Sequence, residues 1–390
     1  MKNKLAYIQR FALLPLSFLY GIGVWVRNIM FDLGILPSKE YDIPVISVGN
    51  LTAGGTGKTP HVEYLVRLLS KNFVVATLSR GYKRKTKGFF LAHTNSTADQ
   101  VGDEPLQIKR KFKDVAVAVD AKRTRGIEKL QKLIPDLQVI ILDDAYQHRY
   151  VKPGISILLV NYSRNIFDDY LLPAGRLREP ASARDRADII IVTKCPANVK
   201  PIELRLLEKK LIQYAYQKVF FTTVTYQSLI PVFDAALPVL TPEDIAAETN
   251  EVIVVSGIAN NEDMVRYLEK FFPTVHVFQF SDHYHYTARD LHEIIELFGE
   301  ISANKKCYLI TTEKDATKIS AFNSLEDEVK NAFYYLPVQI EFLENKQETF
   351  DSLIYNYVHN NRPDNILHRR EKWKKSNLPF LYIEKKVNND

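Results

Sequence analysis

Val45-Ile-Ser-Val-Gly-Asn-Leu-Thr-Ala-Gly-Gly-Thr-Gly-Lys-Thr59 sets a glycine-rich loop ending in Gly-Lys-Thr directly after a β-branched apolar run. A bound triphosphate needs convergent backbone N–H groups, an ammonium that reaches its β and γ positions, and a hydroxyl for Mg²⁺. Thr52, Ala53, Gly54, Gly55, Thr56 and Gly57 supply the loop, Lys58 the ammonium and Thr59 the hydroxyl. Thr52 stands where the usual G-x-x-x-x-G-K-[ST] pattern has its first glycine, so the loop is expected to enter its turn differently. Upstream, Ile43–Val48 reads as a buried parallel strand. Downstream, Val62, Leu65, Val66 and Leu69 recur at helical spacing, with Pro60 in the first turn.

Beyond this unit the chain keeps alternating short β-branched runs with helical stretches. Strands are expected at Val74–Leu78, Val115–Val119, Val139–Leu142, Ile155–Val160 and Ile189–Val192, which implies βαβ units and a parallel sheet. After Lys194 come a helix-like stretch, a strand at Val219–Tyr226 and a proline-containing apolar run, Ile230–Leu240. A second series follows, with strands at Val252–Val255, Val275–Phe280 and Tyr308–Ile310 and helices at Met264–Phe271 and Leu291–Phe298. Tyr334–Phe342 reads as a return strand able to pair with Val219–Tyr226. The chain is therefore expected to be α/β: a P-loop NTPase-like parallel sheet domain flanked by helices (37–230), a second smaller α/β domain contributing to the active-site cleft (231–333), a return strand and helix (334–360), and a basic tail (361–390).

The N-terminal segment, 1–36, carries Phe11–Val26 without a charged side chain, flanked by Lys2, Lys4, Arg10 and Arg27. A spanning helix needs about 20 apolar residues, and Pro15, Gly21 and Gly23 interrupt this one, so spanning and a secretory signal are both disfavoured. A helix lying in the membrane interface and an ordinary buried helix both fit these residues. The net charge of +6 is too small to argue for nucleic acid. Cys195 and Cys307 lie in apolar strand-like runs without metal-ligand spacing, as buried thiols of a reducing compartment would.

In parallel sheets, ligands gather beyond the carboxyl ends of the strands, so the polar residues there are the chemical candidates. Val139–Leu142 runs into Asp143 and Asp144, which suits a strand that brings carboxylates to Mg²⁺ beside Lys58. Asp103 and Glu104 fall at a helix N-terminus, where an acid facing the phosphate can serve as base for a sugar or lipid hydroxyl. Arg123, Arg125, Arg176 and Arg178, with Glu179, are charges suited to phosphoryl oxygens or to a solvated surface. In the second series, Asp282 and His283 follow one strand and Thr311-Thr-Glu-Lys-Asp315 ends another. Two polar clusters on one sheet edge suggest a face turned toward the first domain.

Ser-Val-Gly-Asn-Leu-Thr with the unusual loop, Gly-Asp-Glu-Pro, Leu-Asp-Asp-x-x-Gln-His, Leu-Arg-Glu-Pro, Ser-Gly-Ile-Ala-Asn, Asp-His-Tyr and Thr-Glu-Lys-Asp-Ala occur here in one order. Together, from the hydrophobic segment to about Tyr334–Phe342, they resemble the tetraacyldisaccharide 4′-kinase family, the lipid A kinases of Gram-negative bacteria. The resemblance implies transfer of the ATP γ-phosphate, with Mg²⁺, to the 4′-hydroxyl of an acylated glucosamine disaccharide 1-phosphate. It also favours an N-terminal membrane-interfacial helix and a peripheral or monotopic enzyme on the cytoplasmic face of the inner membrane. No obligate protein partner is inferred. By the same resemblance Asp103 is the base, with His283 its partner from the second domain, while Lys58 and Thr59 keep their phosphate and metal roles. Asp143, Asp144, Glu104 and Glu179 are candidate metal or electrostatic ligands; Arg123, Gln147, His148 and Arg178 are expected to organise the site. Ala145-Tyr146 and Asn261 depart from the family pattern, which leaves loop shape open and the chemistry intact. A membrane-attached nucleotide switch acting on a protein partner is the competing reading, and it gives Asp103, Glu104 and His283 no task.

Overall fold

The computed structural model describes residues 2–282, 284–322 and 324–362, with side chains from Phe11 onward. Two sheets organise it. The larger has nine strands: β1 (Val45–Asn50), β2 (Val75–Ser79), β3 (Phe90–Leu91), β4 (Ala116–Val119), β5 (Val139–Asp143), β6 (Ile155–Asn161), β7 (Ile189–Thr193), β8 (Lys218–Tyr226) and, after the second sheet, β14 (Val338–Phe342). Their order is β14-β8-β7-β6-β1-β5-β2-β4-β3, parallel except for the two edge strands. The second sheet contains β9 (Ile230–Pro231), β10 (Glu251–Ser256), β11 (Thr274–Gln279), β12 (Tyr308–Thr312) and β13 (Phe333–Leu336), in the order β11-β10-β12-β13-β9.

Twelve α-helices lie among the described residues: α1 (Lys2–Asp32), α2 (Lys58–Leu69), α3 (Ala98–Val101), α4 (Asp103–Lys111), α5 (Arg123–Leu133), α6 (Pro201–Leu211), α7 (Pro242–Ala246), α8 (Glu262–Leu268), α9 (Ala288–Ser302), α10 (Glu313–Ile319), α11 (Asp327–Ala332) and α12 (Gln347–Asn361). Side chains alternate along each strand, so the central strands bury both faces. Ile46 and Val48 pack with Val62, Leu65, Val66 and Leu69 of α2 and with Phe350, Ile354 and Val358 of α12. On the other face, Val45 and Leu78 meet Ile127 and Leu130 of α5. The second sheet repeats the arrangement, with Leu291, Ile294 and Phe298 of α9 on one face and Met264 and Leu268 of α8 on the other.

The single return strand expected over Tyr334–Phe342 is in fact two strands in different sheets. Pro337 separates them, because it has no N–H to continue the ladder of β13. β13 pairs with β12, whereas β14 crosses back and pairs antiparallel with β8, as expected for that segment. The link between the sheets is therefore double, β8 leading out and β14 leading back. Cys195 and Cys307 are free and buried, but they flank β7 and β12 and do not sit within them.

Helix α1 is continuous through Pro15. Its segment Phe11–Asp32 has the length and composition of a membrane-crossing helix, with a mean hydropathy of 1.3. Ser17 Oγ donates to Leu171 O at 2.9 Å, Tyr20 Oη to Arg178 O at 2.9 Å, and Arg27 to Gln147 O at 2.6 Å. One side thus lies on the protein body. Phe11, Phe18, Leu19 and Trp25 on the remaining surface are 71, 70, 63 and 63% exposed, which sets aside the buried-helix reading.

Candidate active site

The glycine-rich loop joins β1 to α2 at the carboxyl end of the large sheet. Gly54, Gly55 and Gly57 have φ of 87°, 35° and 76°, values a side chain would strain. Thr52 has no such requirement: it forms an antiparallel bridge with Leu177, so an extended residue serves where a glycine was expected. Ala53 N donates to Arg176 O and Arg178 N to Leu51 O, both at 2.7 Å, and these bonds lay the 170–180 segment along the loop. Thr56 is buried, with its hydroxyl accepting from Asn50 Nδ2 at 2.8 Å and its carbonyl from Thr193 Oγ1 at 3.0 Å.

Lys58 and Thr59 open α2. Lys58 Nζ lies 3.6 Å from Asp144, and Arg178 reaches the same carboxylate at 3.2 Å. Burial pushes the Asp144 carboxyl up, but Lys58 and Arg178 outweigh it and hold the group below its ordinary value. Asp143, the last residue of β5, is the opposite case. Burial, then Glu104 and Asp144, push its carboxyl up to about 7, against the pull of Lys58 and Arg123. Its Oδ1 is buried and accepts no hydrogen bond. Of these two neighbouring acids one is fixed by cations and the other is short of positive charge, a deficit that a cation beside Asp143 and Glu104 would relieve.

Among the described residues, no three His, Cys, Asp or Glu side chains converge to hold a metal by themselves. At nucleotide sites Mg²⁺ binds through one or two carboxylates plus substrate phosphates and water. Thr59, Asp143 and Glu104 fit such a partial shell. Asp144 is already committed to Lys58 and Arg178, and Glu179 is buried against Arg186, with Arg27 3.8 Å away.

Arg123 is buried behind this edge and donates to the carbonyls of Asp120, Asp143 and Asp144 at 3.2 to 3.5 Å. It braces the turn that presents the two acids, and burial lowers its guanidinium to about 10. Gln147 Nε2 donates to Asn50 O at 2.8 Å, tying that turn to β1. Burial, then Arg123, Arg27 and Arg80, hold His148 near 4, so it is neutral. Asp103 heads α4, as expected, and its carboxylate lies 3.0 Å from Lys318 of α10. His283, its expected partner, falls outside the described residues. The two polar clusters of the second sheet edge lie together, Asp282 pairing with Lys314 at 3.1 Å, and that edge does face the first domain, with Lys318 on Asp103 at 3.0 Å and Glu313 on Lys111 at 2.9 Å.

Sequence reasoning missed four residues here. His61 Nδ1 lies 2.7 Å from Gly57 O; as that carbonyl can only accept, Nδ1 carries the proton and Nε2 accepts from Thr222 Oγ1 at 3.1 Å. Arg164 Nη1 lies about 4 Å from where a side chain on Gly54 or Gly55 would begin, over the phosphate loop. Arg80 follows β2, exposed, and its charge reaches Arg123 and His148. The fourth is Lys318. The position of Arg164 after β6 and of Arg80 after β2 gave the same strand-end signal that singled out Asp143.

A lysine-tipped glycine loop on a parallel sheet, facing paired strand-end acids, defines the class of P-loop phosphotransferases. A family model described as Tetraacyldisaccharide-1-P 4'-kinase matches residues 9–359. A Tetraacyldisaccharide 4'-kinase of Phocaeicola vulgatus is 48% identical, covering 93% of this chain and 98% of its own. One from Flavobacterium johnsoniae is 44% identical, covering 91% and 98%. The crystal structure of "apo" form LpxK from Aquifex aeolicus in complex with ATP matches with a TM-score of 0.69 at 29% identity, covering 90% of this chain and 99% of that one. The chain belongs to the tetraacyldisaccharide-1-P 4'-kinase family and is an ATP-dependent kinase of lipid A biosynthesis.

Proposed function

We propose that this enzyme passes the γ-phosphate of ATP to the 4′-hydroxyl of a tetraacyl glucosamine disaccharide 1-phosphate, with Asp103 as the base. The supporting observation is electrostatic continuity across the cleft. Glu104, beside Asp103 at the head of α4, and Lys58 both act on the Asp143 carboxyl, Glu104 pushing it up and Lys58 pulling it down, which supports a shared site for the α4 acids and the phosphate-binding lysine. In this reading the loop amides and Lys58 hold the β and γ phosphates, and Asp103 takes the proton of the attacking hydroxyl. Mg²⁺, held by Thr59 with Asp143 or Glu104, would supply charge on the phosphate oxygens. Arg178 keeps Asp144 beside Lys58, and Arg123 holds the acid turn in register.

The acceptor is a lipid, and α1 supplies a surface for it. Its apolar exposed side and its bonds to Leu171, Arg178 and Gln147 set the membrane interface beside the site walls. Bonded to the body at Ser17, Tyr20 and Arg27, the helix is read as lying along the protein with its apolar side in the membrane interface. We therefore place the enzyme peripherally, on the cytoplasmic face where ATP is available. Incubation with γ-labelled ATP and tetraacyldisaccharide 1-phosphate, followed by locating the label, tests this reading. Label at the 4′ position is expected, and its absence would overturn the assignment of the acceptor.

A further inference from the structure

Helices α4 and α10 form the seam between the two sheets on the site side. Arg110 donates to Thr317 O at 3.2 Å and to Ser320 Oγ at 3.0 Å. Lys111 pairs with Glu63 at 2.6 Å and with Glu313 at 2.9 Å. These bonds lie to one side of Asp103. Lys318 differs, because its ammonium ends on Asp103 Oδ2, with the two side chains only 8 and 11% exposed.

From these contacts we infer that Lys318 is a positioning residue for phosphoryl transfer, delivered by the second lobe to hold the Asp103 carboxylate in its working orientation. The inference rests on the reading of Asp103 as base. Lysine has three donors on a flexible stem, and fixing that stem costs rotamer freedom. Here two oxygens take it, Asp103 Oδ2 at 3.0 Å and Tyr284 O at 3.0 Å, and a third, Asp315 Oδ1, stands 3.9 Å away as an ion pair. The third belongs to a rigid frame. Asp315 is fully buried, accepts from Gly257 N at 2.8 Å and from Thr312 Oγ1 at 2.7 Å, and Thr312 caps α10. A lysine serving only as adhesive between lobes has no need of such a frame, and Arg110 and Lys111 already fill that role. The frame transmits the docked position of the second lobe to a carboxylate of the first. The site is then complete only when β10, α10 and α4 are in register.

The test uses the full chain, with ATP and tetraacyldisaccharide 1-phosphate in mixed micelles. Lys318→Met is expected to lower kcat about tenfold or more, the scale of a misplaced reacting group, with KM for ATP changed less than about twofold. Lys318→Arg, which restores the cation, is expected to recover most of that loss. Arg110→Met cuts the same seam without touching Asp103 and is expected to lower kcat less than about threefold. Lys318→Gln replaces the methionine variant if the latter does not fold. Unchanged kcat without the lysine charge, an equal loss in Arg110→Met, or an arginine no better than methionine would each overturn the inference. Asp103→Asn separates the two levels. Activity surviving there removes the base and Lys318's role with it, whereas loss there beside an unimpaired Lys318→Met removes only the lysine's role.

Discussion

Lys58 and Asp144 face each other at 3.6 Å across the end of the central sheet, one heading α2 and the other in a left-handed turn with φ of 47° just after β5. Asp144 thus gives the lysine ammonium an anionic partner at the edge of the loop. Lys58→Ala is expected to weaken nucleotide affinity and to lower kcat by more than about a hundredfold, since it removes charge from the transferring group. Asp144→Asn should spare most of the affinity and depress kcat. Titration with a fluorescent ATP analogue beside a kinase assay checks both, and equal binding by Lys58→Ala would contradict its role.

Asp103→Ala should leave ATP binding within about threefold of wild type and abolish phosphate transfer. Full turnover in that variant would remove the proposed base.

Asp143 offers a proton-release measurement. Its carboxyl is pushed up to about 7, so near that pH a sizeable fraction carries a proton that an approaching cation must expel. Binding of Mg²⁺ with ATP should therefore release protons below about pH 7 and almost none above about pH 8.5, with affinity falling as pH drops. Calorimetry at pH 6.5 in buffers of different ionisation heat reads the release directly. Equal heats across buffers, after correction for ATP itself, would contradict it.

His61 makes stability depend on pH. Burial lowers its folded value to about 4 from an ordinary 6.5, so in acid the unfolded chain takes up a proton that the folded one refuses. Its contribution is complete above about pH 6.5 and is lost as pH falls toward 4, amounting to about 3 kcal/mol. The stability advantage of wild type over His61→Gln should shrink by about that amount between pH 7 and 4. Urea unfolding of both proteins measures the difference, and a constant gap would exclude a neutral buried imidazole.

Gly49 has no spare room. A Cβ there would stand 2.7 Å from Tyr146 Cβ and 2.8 Å from Tyr146 N, pushing on the turn that carries Asp143 and Asp144. Gly49→Ala should cost about 1 to 3 kcal/mol and reduce kcat together with stability. Stability at the wild-type level would show that the turn yields freely.

For α1, replacing Phe18 and Trp25 by glutamate should abolish flotation with liposomes and preserve turnover of a detergent-dispersed acceptor. Unchanged flotation would move the membrane contact elsewhere.

The phosphate loop, the strand-end acids and the two series of α/β units were legible in the chain, because each depends on local spacing: glycines before a lysine, alternating apolar runs, carboxylates just past them. Local spacing also exposed Asp103 as the head of a helix. What it could not give was which distant groups meet. Pro337 looked like one residue in an apolar run, yet it divides two sheets. Lys318 lies three residues after Asp315 with no local signal of its own, and docking of the lobes buries it on Asp103. His61 carried no local signal, and only the approach of β8 supplied Thr222 to fix its tautomer. Residue type and short-range periodicity fix the chemistry available here, since they set both strand ends and loop. Folding in three dimensions fixes which charges cancel, which are stranded and which are held, because ion pairing and desolvation depend on groups brought within a few ångströms from far along the chain.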